Sequence, residues 1–309
     1  MWEKKGLIYA CDILGTGYAQ DPFIDVLDDK TWRIYFSSRT KDVVSLPFYM
    51  DVEAGNPSNI LMVNEDPLFL PGYPGTFDDS GITMTSIVDC GSHKLLYYCG
   101  WNKGVTVPYS LSIGVALVIR DNYIKRYEGP ILCRSVYDPV CVSAPYVIRD
   151  EFGTFRMWYI SFTEWESYSG RMEPTFIIKT AFSYDGVNWT VVTKPCFKQR
   201  YKGESFARPC VIKDGIYKMW FSERGPQGYR DKDGQHYMIG YAESNNGENF
   251  RREPIDFTCS ESGWDSEMLC YATVIKHEGY YYMLYNGNEF GKTGFGYAIQ
   301  KINSNFAKI

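Results

Sequence analysis

The stretch Ser205–Gly225, SFARPCVIKDGIYKMWFSERG, reads as two short apolar runs joined by an Asp-Gly turn, with an arginine directly before a proline at its start. Asp-Gly between alternating apolar runs is a strong hairpin signal. The same phrase recurs upstream as SAPYVIRDEFGTFRMWYIS from Ser143 and downstream as LCYATVIKHEGYYYMLYNG from Leu269. A hairpin written several times over is an architecture, and a fixed repeat period sets the fold before any single residue does.

Alignment on the Pro-x-Val-Ile phrase places anchors at Pro22, Thr85, Pro145, Pro209 and Ala272, separated by 63, 60, 64 and 63 residues. Each anchor is followed, after a turn, by an aromatic strand: RIYFSS, LLYYCGW, RMWYIS, KMWFSE and YMLYNGN. A third strand recurs as IGVAL, IKTAF, IGYAE and FGYAI, with YMDVEAG the weakest fit, in the first unit. No long segment of 3.6-residue period interrupts the pattern. Five four-stranded units fill residues 1–309 as one domain, and radial repetition of such sheets is an all-β five-bladed β-propeller. The last unit lacks an outer strand, which KKGLIYA (residues 4–10) is expected to supply, closing the ring.

Composition agrees and excludes other classes. Aromatic residues make up 17% of the chain, with 26 tyrosines, 18 phenylalanines and 8 tryptophans. They favour strands, and they also suit ligands with one apolar face and polar edges, such as sugars. Net charge is −5 with no long basic run, so nucleic acid is not expected as a partner. No apolar run approaches the roughly 20 residues of a membrane span. The opening MWEKKGLIYACDILG has no signal-peptide core, and the nine cysteines show no C-x-x-C spacing. Free thiols and a cytoplasmic location are the expectation. The oligomeric state is left open.

In a propeller the innermost strand of each unit lines the channel. The turns after it (Asp214-Gly215, Glu151-Gly153, His277-Gly279) fall on one face, and the long loops WNKGVTVPYS, SFTEWESYSGRMEPT, SERGPQGYRDKDGQ and NGNEFGKT fall on the other. Functional groups concentrate on loops held by a rigid scaffold. His93 and His277 lie in the short turns and His236 at a loop edge, which disfavours a histidine-ligated metal or a Ser-His-Asp triad. The site is expected at the starts of the inner strands, near Asp21, Asp78, Asp79, Asp138, Glu204, Arg208, Asp265, Glu267 and Tyr271. The ends of the second strands add Arg39, Trp101, Arg224 and Asn286. Carboxylates among arginines and aromatics suit acid/base chemistry on a glycosidic bond, which needs two carboxyl groups about 5–9.5 Å apart, one held protonated. In this reading Asp21, Asp79, Glu204 and Glu267 are catalytic. Arg39, Trp101, Asp138, Arg208, Arg224, Asp265, Tyr271 and Asn286 bind a small carbohydrate ligand. No cofactor is required. An acidic channel could hold Ca²⁺, but no motif specifies it. Asp185 in SYDGVNW reads as a structural turn residue.

At these residues the chain resembles the five-bladed propeller glycosidases of glycoside hydrolase families 43, 32, 68 and 130. AQDPFID resembles the Asp-Pro opening of family 43. The resemblance implies that Asp21 is a general base, or a nucleophile as in families 32 and 68. It implies Glu204 as general acid, although Glu204 stands five residues before Pro209. Asp138-Pro139 matches the family 43 pair that tunes the acid. FDDSGIT is similar to the acidic blade of family 130, but Ser80 and Gly81 stand where an arginine usually follows, which argues against a phosphorylase. A glycoside hydrolase is the function implied. A non-catalytic sugar- or nucleotide-sugar-binding propeller is the alternative, with phosphorolysis or glycosyl transfer further behind.

Overall fold

The computed structural model describes residues 1–10, 13–119 and 123–302. Strand β1 (Glu3–Tyr9) comes first in the chain and belongs to the last blade. Blade 1 is β2 (Gln20–Val26), β3 (Thr31–Arg39), β4 (Ser45–Glu53) and β5 (Asn56–Val63). Blade 2 is β6 (Ile82–Asp89), β7 (Lys94–Lys103), β8 (Tyr109–Ile119) and β9 (Tyr123–Arg126). Blade 3 is β10 (Val142–Arg149), β11 (Phe155–Tyr168), β12 (Arg171–Ser183) and β13 (Thr190–Val191). Blade 4 is β14 (Ser205–Asp214), β15 (Ile216–Arg224), β16 (Met238–Ser244) and β17 (Arg251–Glu253). Blade 5 is β18 (Cys270–His277), β19 (Tyr280–Asn286) and β20 (Phe295–Lys301), completed by β1.

All pairings within the blades are antiparallel, and the inner strands touch in sequence around the ring, from β2 through β6, β10, β14 and β18 back to β2. The five anchors all fall on inner strands, and YMDVEAG overlaps β4, so the first unit obeys the repeat after all. Closure by the N-terminal segment is also as expected: β1 pairs with β20 from Glu3↔Ile299 to Tyr9↔Phe295. Trp2 locks it, packing edge-on against Trp220 and Phe257 with ring centroids 6.3 Å away in each case.

Short Ser-x-Asx-Gly turns stitch the face away from the long loops. Asp185 accepts the backbone N–H groups of Val187 and Asn188, each at 2.8 Å. The Asn188 amide and its neighbours hold that carboxyl well below the usual range. Gly186 has φ +76°, and a Cβ there would come within 2.5 Å of Leu95. Its carbonyl accepts the Tyr97 hydroxyl of the preceding blade, and Gly247 accepts Trp158 Nε1 in the same way one blade on.

The other face is shaped by a bulge near the start of every inner strand. Register slips between Gln20 and Phe23, Met84 and Ser86, Ser143 and Tyr146, Ala207 and Cys210, and Cys270 and Thr273. In four blades the residue just before the anchor has positive φ: Asp21 55°, Ala144 47°, Arg208 50° and Tyr271 56°. Non-glycine residues occupy this region at a cost, and a bulge re-aims one side chain out of the alternation. Three of the four precede proline, whose missing N–H leaves no orphan donor in the interrupted ladder. Side chains of the preceding blade receive the donors that the bulges free. Asp21 N donates to Asn286 Oδ1, Ala144 N to Cys99 Sγ and Tyr271 N to Ser222 Oγ.

Arg208 turns one of these bulges into a hub. Its side chain is 1% exposed, with Nη1 donating to Thr85 O at 2.6 Å and Nη2 to Asp21 O at 3.3 Å. Its Nε lies 3.1 Å from Asp21 Oδ1 without an aligned hydrogen bond. One guanidinium of blade 4 thus reaches blades 1 and 2 across the channel.

Two outcomes test this frame. Arg208→Gln will lower unfolding free energy by about 3 kcal/mol in urea melts at pH 7, because it strands a buried carboxylate. Asp21→Asn on that background will recover part of the loss, whereas strictly additive losses would show that the pair is uncoupled. Trp2→Ala will cost about 3 kcal/mol by thermal or urea unfolding, the usual range for truncating a buried tryptophan.

Candidate active site

The bulged residues converge on a cavity of about 590 Å³ at the long-loop face. That lies within the range of roughly 300–1,000 Å³ typical of small-ligand sites. Asp21, Thr85, Ala144, Arg208 and Tyr271, one from each inner strand, all line it. Ends of the second strands add Arg39 and Trp101, and long loops add Tyr229, Arg230 and Phe290. Five residues proposed from sequence are therefore brought together here: Asp21, Arg39, Trp101, Arg208 and Tyr271.

Asp21 is the carboxylate beside Arg208. Burial pushes its carboxyl up, against the opposing pull of Arg208 and then Arg39. Trp101 is fixed by a 3.0 Å hydrogen bond from Nε1 to Thr83 Oγ1 and packs against Tyr109 at 4.9 Å. Arg39 lies 5.9 Å over the Trp101 ring and 5.5 Å over Tyr18. The Tyr271 and Tyr237 rings pack at a tilt, with centroids 5.9 Å apart. Burial pushes the Tyr271 hydroxyl well above its ordinary range and that of Tyr237 up to about 12. Both are neutral hydrogen-bond donors at physiological pH. The wall is thus aromatic, with hydroxyl and guanidinium groups at its polar edges, which suits a ligand with a flat apolar face and a hydroxylated rim.

The remaining residues proposed from sequence do not line the cavity, and each has a physical reason. Asp138 is fully buried in blade 3, where Lys179 Nζ donates to it at 2.9 Å and the Tyr159 hydroxyl at 3.2 Å. Asp265 takes Lys4 Nζ at 2.6 Å and the Tyr285 hydroxyl at 3.0 Å. Asp78 takes Arg126 Nη1 at 2.5 Å and the Tyr98 hydroxyl at 3.3 Å. Glu204 takes Arg252 Nη1 at 2.8 Å and the backbone N–H of Arg200 at 2.6 Å. Asp78, Asp138 and Asp265 occupy the same place in three blades, and Glu204 stands two residues nearer its anchor in a fourth. Each ties the loop entering the inner strand to a cation on the third or outer strand of its own sheet. The placement expected for Glu204 at the channel mouth is corrected accordingly.

Asp79 and Glu267 likewise stand outside. Asp79 accepts Gly75 N, the Ser80 hydroxyl and Asn102 Nδ2, so it supports the wall from behind. Glu267 is exposed, and its backbone N–H donates to Asn288 Oδ1. Arg224 is buried 3.6 Å over the Tyr229 ring and donates to the carbonyls of Gly225, Pro226 and Pro174. It clamps the loop that carries Tyr229 and Arg230. Asn286 receives Asp21 N and donates to Ala19 O and Gly294 O, so it positions Asp21 from beneath.

The expected ring of carboxylates is therefore absent among the described residues: the cavity holds Asp21 and, from the loop after β3, the exposed Asp42. Among those residues no group of three or more His, Cys, Asp or Glu side chains is placed to hold a metal ion. His236 is engaged with the carbonyls of Tyr229 and Lys232. The eight described cysteines are free thiols, while Cys11 lies outside the described residues. Among the described residues no helix is long and apolar enough to cross a membrane. Residues missed by sequence reasoning are Arg230, Tyr229, Tyr237 and Tyr109, because nothing in a loop sequence says which side chains fold back over a channel.

No family model matches the chain. Solved structures with the same five-bladed fold cover nearly all of it. A structure described as a glycoside hydrolase aligns with TM-score 0.75 at 16% identity, covering 98% of this chain and 93% of its own. One from work on the GH130 family of mannoside phosphorylases and glycoside hydrolases aligns with TM-score 0.67 at 14% identity, covering 97% and 94%. A thermostable family-43 glycoside hydrolase aligns with TM-score 0.65 at 15% identity, covering 92% and 89%. At these identities the likeness is one of fold. Sequence relationship is much closer to two proteins of Mycobacterium tuberculosis. The uncharacterized proteins MT1551 (strain CDC 1551 / Oshkosh) and Rv1502 (strain ATCC 25618 / H37Rv) are each 36% identical over 308 residues, covering 96% of this chain and 98% of their own. With 36% identity over nearly the whole of both chains, the chain belongs to the family of MT1551 and Rv1502.

Proposed function

We propose that this protein is a carbohydrate-active enzyme that works on a glycosidic bond in the central cavity, with Asp21 as the carboxylate at the reacting centre. One observation carries the reading. The bulge before Pro22 holds Asp21 at positive φ, half-buried beside Arg208, in the lining of a cavity walled by aromatic side chains. Strain of this kind, kept in place by Asn286 beneath and Arg208 beside, is characteristic of functional positions. The glycoside hydrolases that share the fold add support for the substrate class.

In this reading Asp21 acts in its ionised form, as base or nucleophile. The tyrosines of the cavity are neutral and donate to sugar hydroxyls, and Trp101 offers a stacking face. Glu204, Asp79 and Glu267 are not assigned catalytic roles, because none of them lines the cavity. That same fact favours one second reading, a propeller that binds sugar without turning it over. A hydrolase needs a proton donor as well as a base, and Asp42 is the one other described carboxylate lining the cavity.

A panel of chromogenic and oligomeric glycosides separates the two. Turnover by the wild-type protein that falls at least about 10³-fold in Asp21→Asn, with ligand binding retained, supports the enzyme. Full activity in Asp21→Asn removes Asp21 from the chemistry, and binding with no turnover establishes the second reading. The pH profile adds an independent check. Because burial raises the Asp21 pKa and the ionised form is required, activity will be lost as pH falls through a midpoint above the ordinary carboxylate value of about 3.9. A profile with no acidic limb would exclude that role.

A further inference from the structure

The charge of the cavity runs against that of the chain. The protein carries net charge −5, yet four cations (Arg39, Lys103, Arg208 and Arg230) line the cavity against two carboxylates (Asp21 and Asp42). Arg208 is already engaged with Asp21 and with the Thr85 and Asp21 carbonyls. Arg230 stacks 4.3 Å over Tyr229 and 5.6 Å over Phe290, and its nearest carboxylate is Glu173 at 3.7 Å. Glu173 is itself taken by Arg171 Nε and by the backbone N–H of Gly228, both closer. The Arg39 guanidinium makes no hydrogen bond or ion pair among the described residues. It lies 5.5 Å over the Tyr18 ring and 5.9 Å over the Trp101 ring, with its donors unused among the described residues.

A guanidinium fixed over aromatic faces is a preorganised fork for a carboxylate or phosphate. An anion bound there gains charge-assisted hydrogen bonds from that fork. Tyr271 lines the same cavity as both groups. We propose that the glycoside taken by this cavity carries an anionic substituent, a carboxylate or a phosphate, received by Arg39 with Arg230 as the second cation. This rests on the carbohydrate reading above and narrows it to acidic sugars.

Calorimetric titration with matched ligands tests it: methyl glycosides of glucose and glucuronic acid, of galactose and galacturonic acid, glucose 6-phosphate, and inorganic phosphate as charge alone. The acidic member of a pair is expected to bind at least about tenfold more tightly, the usual worth of a charged hydrogen bond. The preference will shrink in 0.5 M salt. Arg39→Gln, checked for an unchanged melting temperature, will narrow the acid-over-neutral ratio about tenfold, and Arg39→Lys will keep part of it. Preference for the uronides identifies a carboxylate, and preference for the phosphate ester identifies a phosphate. Neutral sugars binding as well as acidic ones, with a ratio indifferent to Arg39→Gln, would overturn the proposal and leave the carbohydrate reading standing. Response to inorganic phosphate with silence from every sugar would overturn the carbohydrate reading and, with it, the glycoside assigned here.

Discussion

The buried contact between Arg208 and Asp21 holds the functional face together. A propeller channel is a place where five blades approach without sharing a sheet, so some side chain must span it. Here one guanidinium takes a carbonyl from blade 2 and a carbonyl and carboxylate from blade 1. Both residues sit in the left-handed region, at the same point of the repeat in two different blades. Burying two charges is costly in isolation, and such a pair more often specifies geometry than adds stability. Its effect is to fix where the inner-strand carboxylate of the cavity points.

The contrast between frame and site is the main lesson of the repeat. Asp78, Asp138 and Asp265 each stand seven residues before their anchor, at Thr85, Pro145 and Ala272. Each meets a cation on the third or outer strand of its own sheet and a tyrosine on its second strand. Glu204, five residues before Pro209, meets Arg252 on its outer strand, with the Arg200 backbone N–H as its other donor. A residue that recurs blade after blade solves a problem that every blade has, here the anchoring of an entry loop. The position just before the anchor behaves in the opposite way. In the four blades with positive φ there it holds Asp21, Ala144, Arg208 and Tyr271, four different chemistries on one backbone geometry. Asymmetry within a symmetric frame is where a binding site has to be.

The loops complete the site by the same economy. Arg224 lies inside the protein, under Tyr229, and its three carbonyl contacts set the course of the loop that brings Arg230 over the cavity. Asn286 plays the corresponding part for Asp21. Both were legible as important polar residues at strand ends. Their direction was not, since a terminal residue can turn toward the channel or toward the backbone below it, and only the neighbouring carbonyls decide.

The number of blades, the order of strands within them, the turns and the closing N-terminal strand were all determined by the sequence itself. Those features rest on local rules: alternation, turn chemistry and a period near 63 residues. So were five of the cavity residues, because strand starts and ends could be counted from the anchors. What only the tertiary structure decided was partnership. Lys179, Arg252 and Lys4 come from strands 41, 48 and 261 residues away from the carboxylates they neutralise, counted along the chain. No local signal distinguishes an aspartate with such a cation from one without it. The excess of cations in the cavity of an acidic chain has the same origin: charge in a protein is distributed by folding, and a sum over the sequence carries no directions.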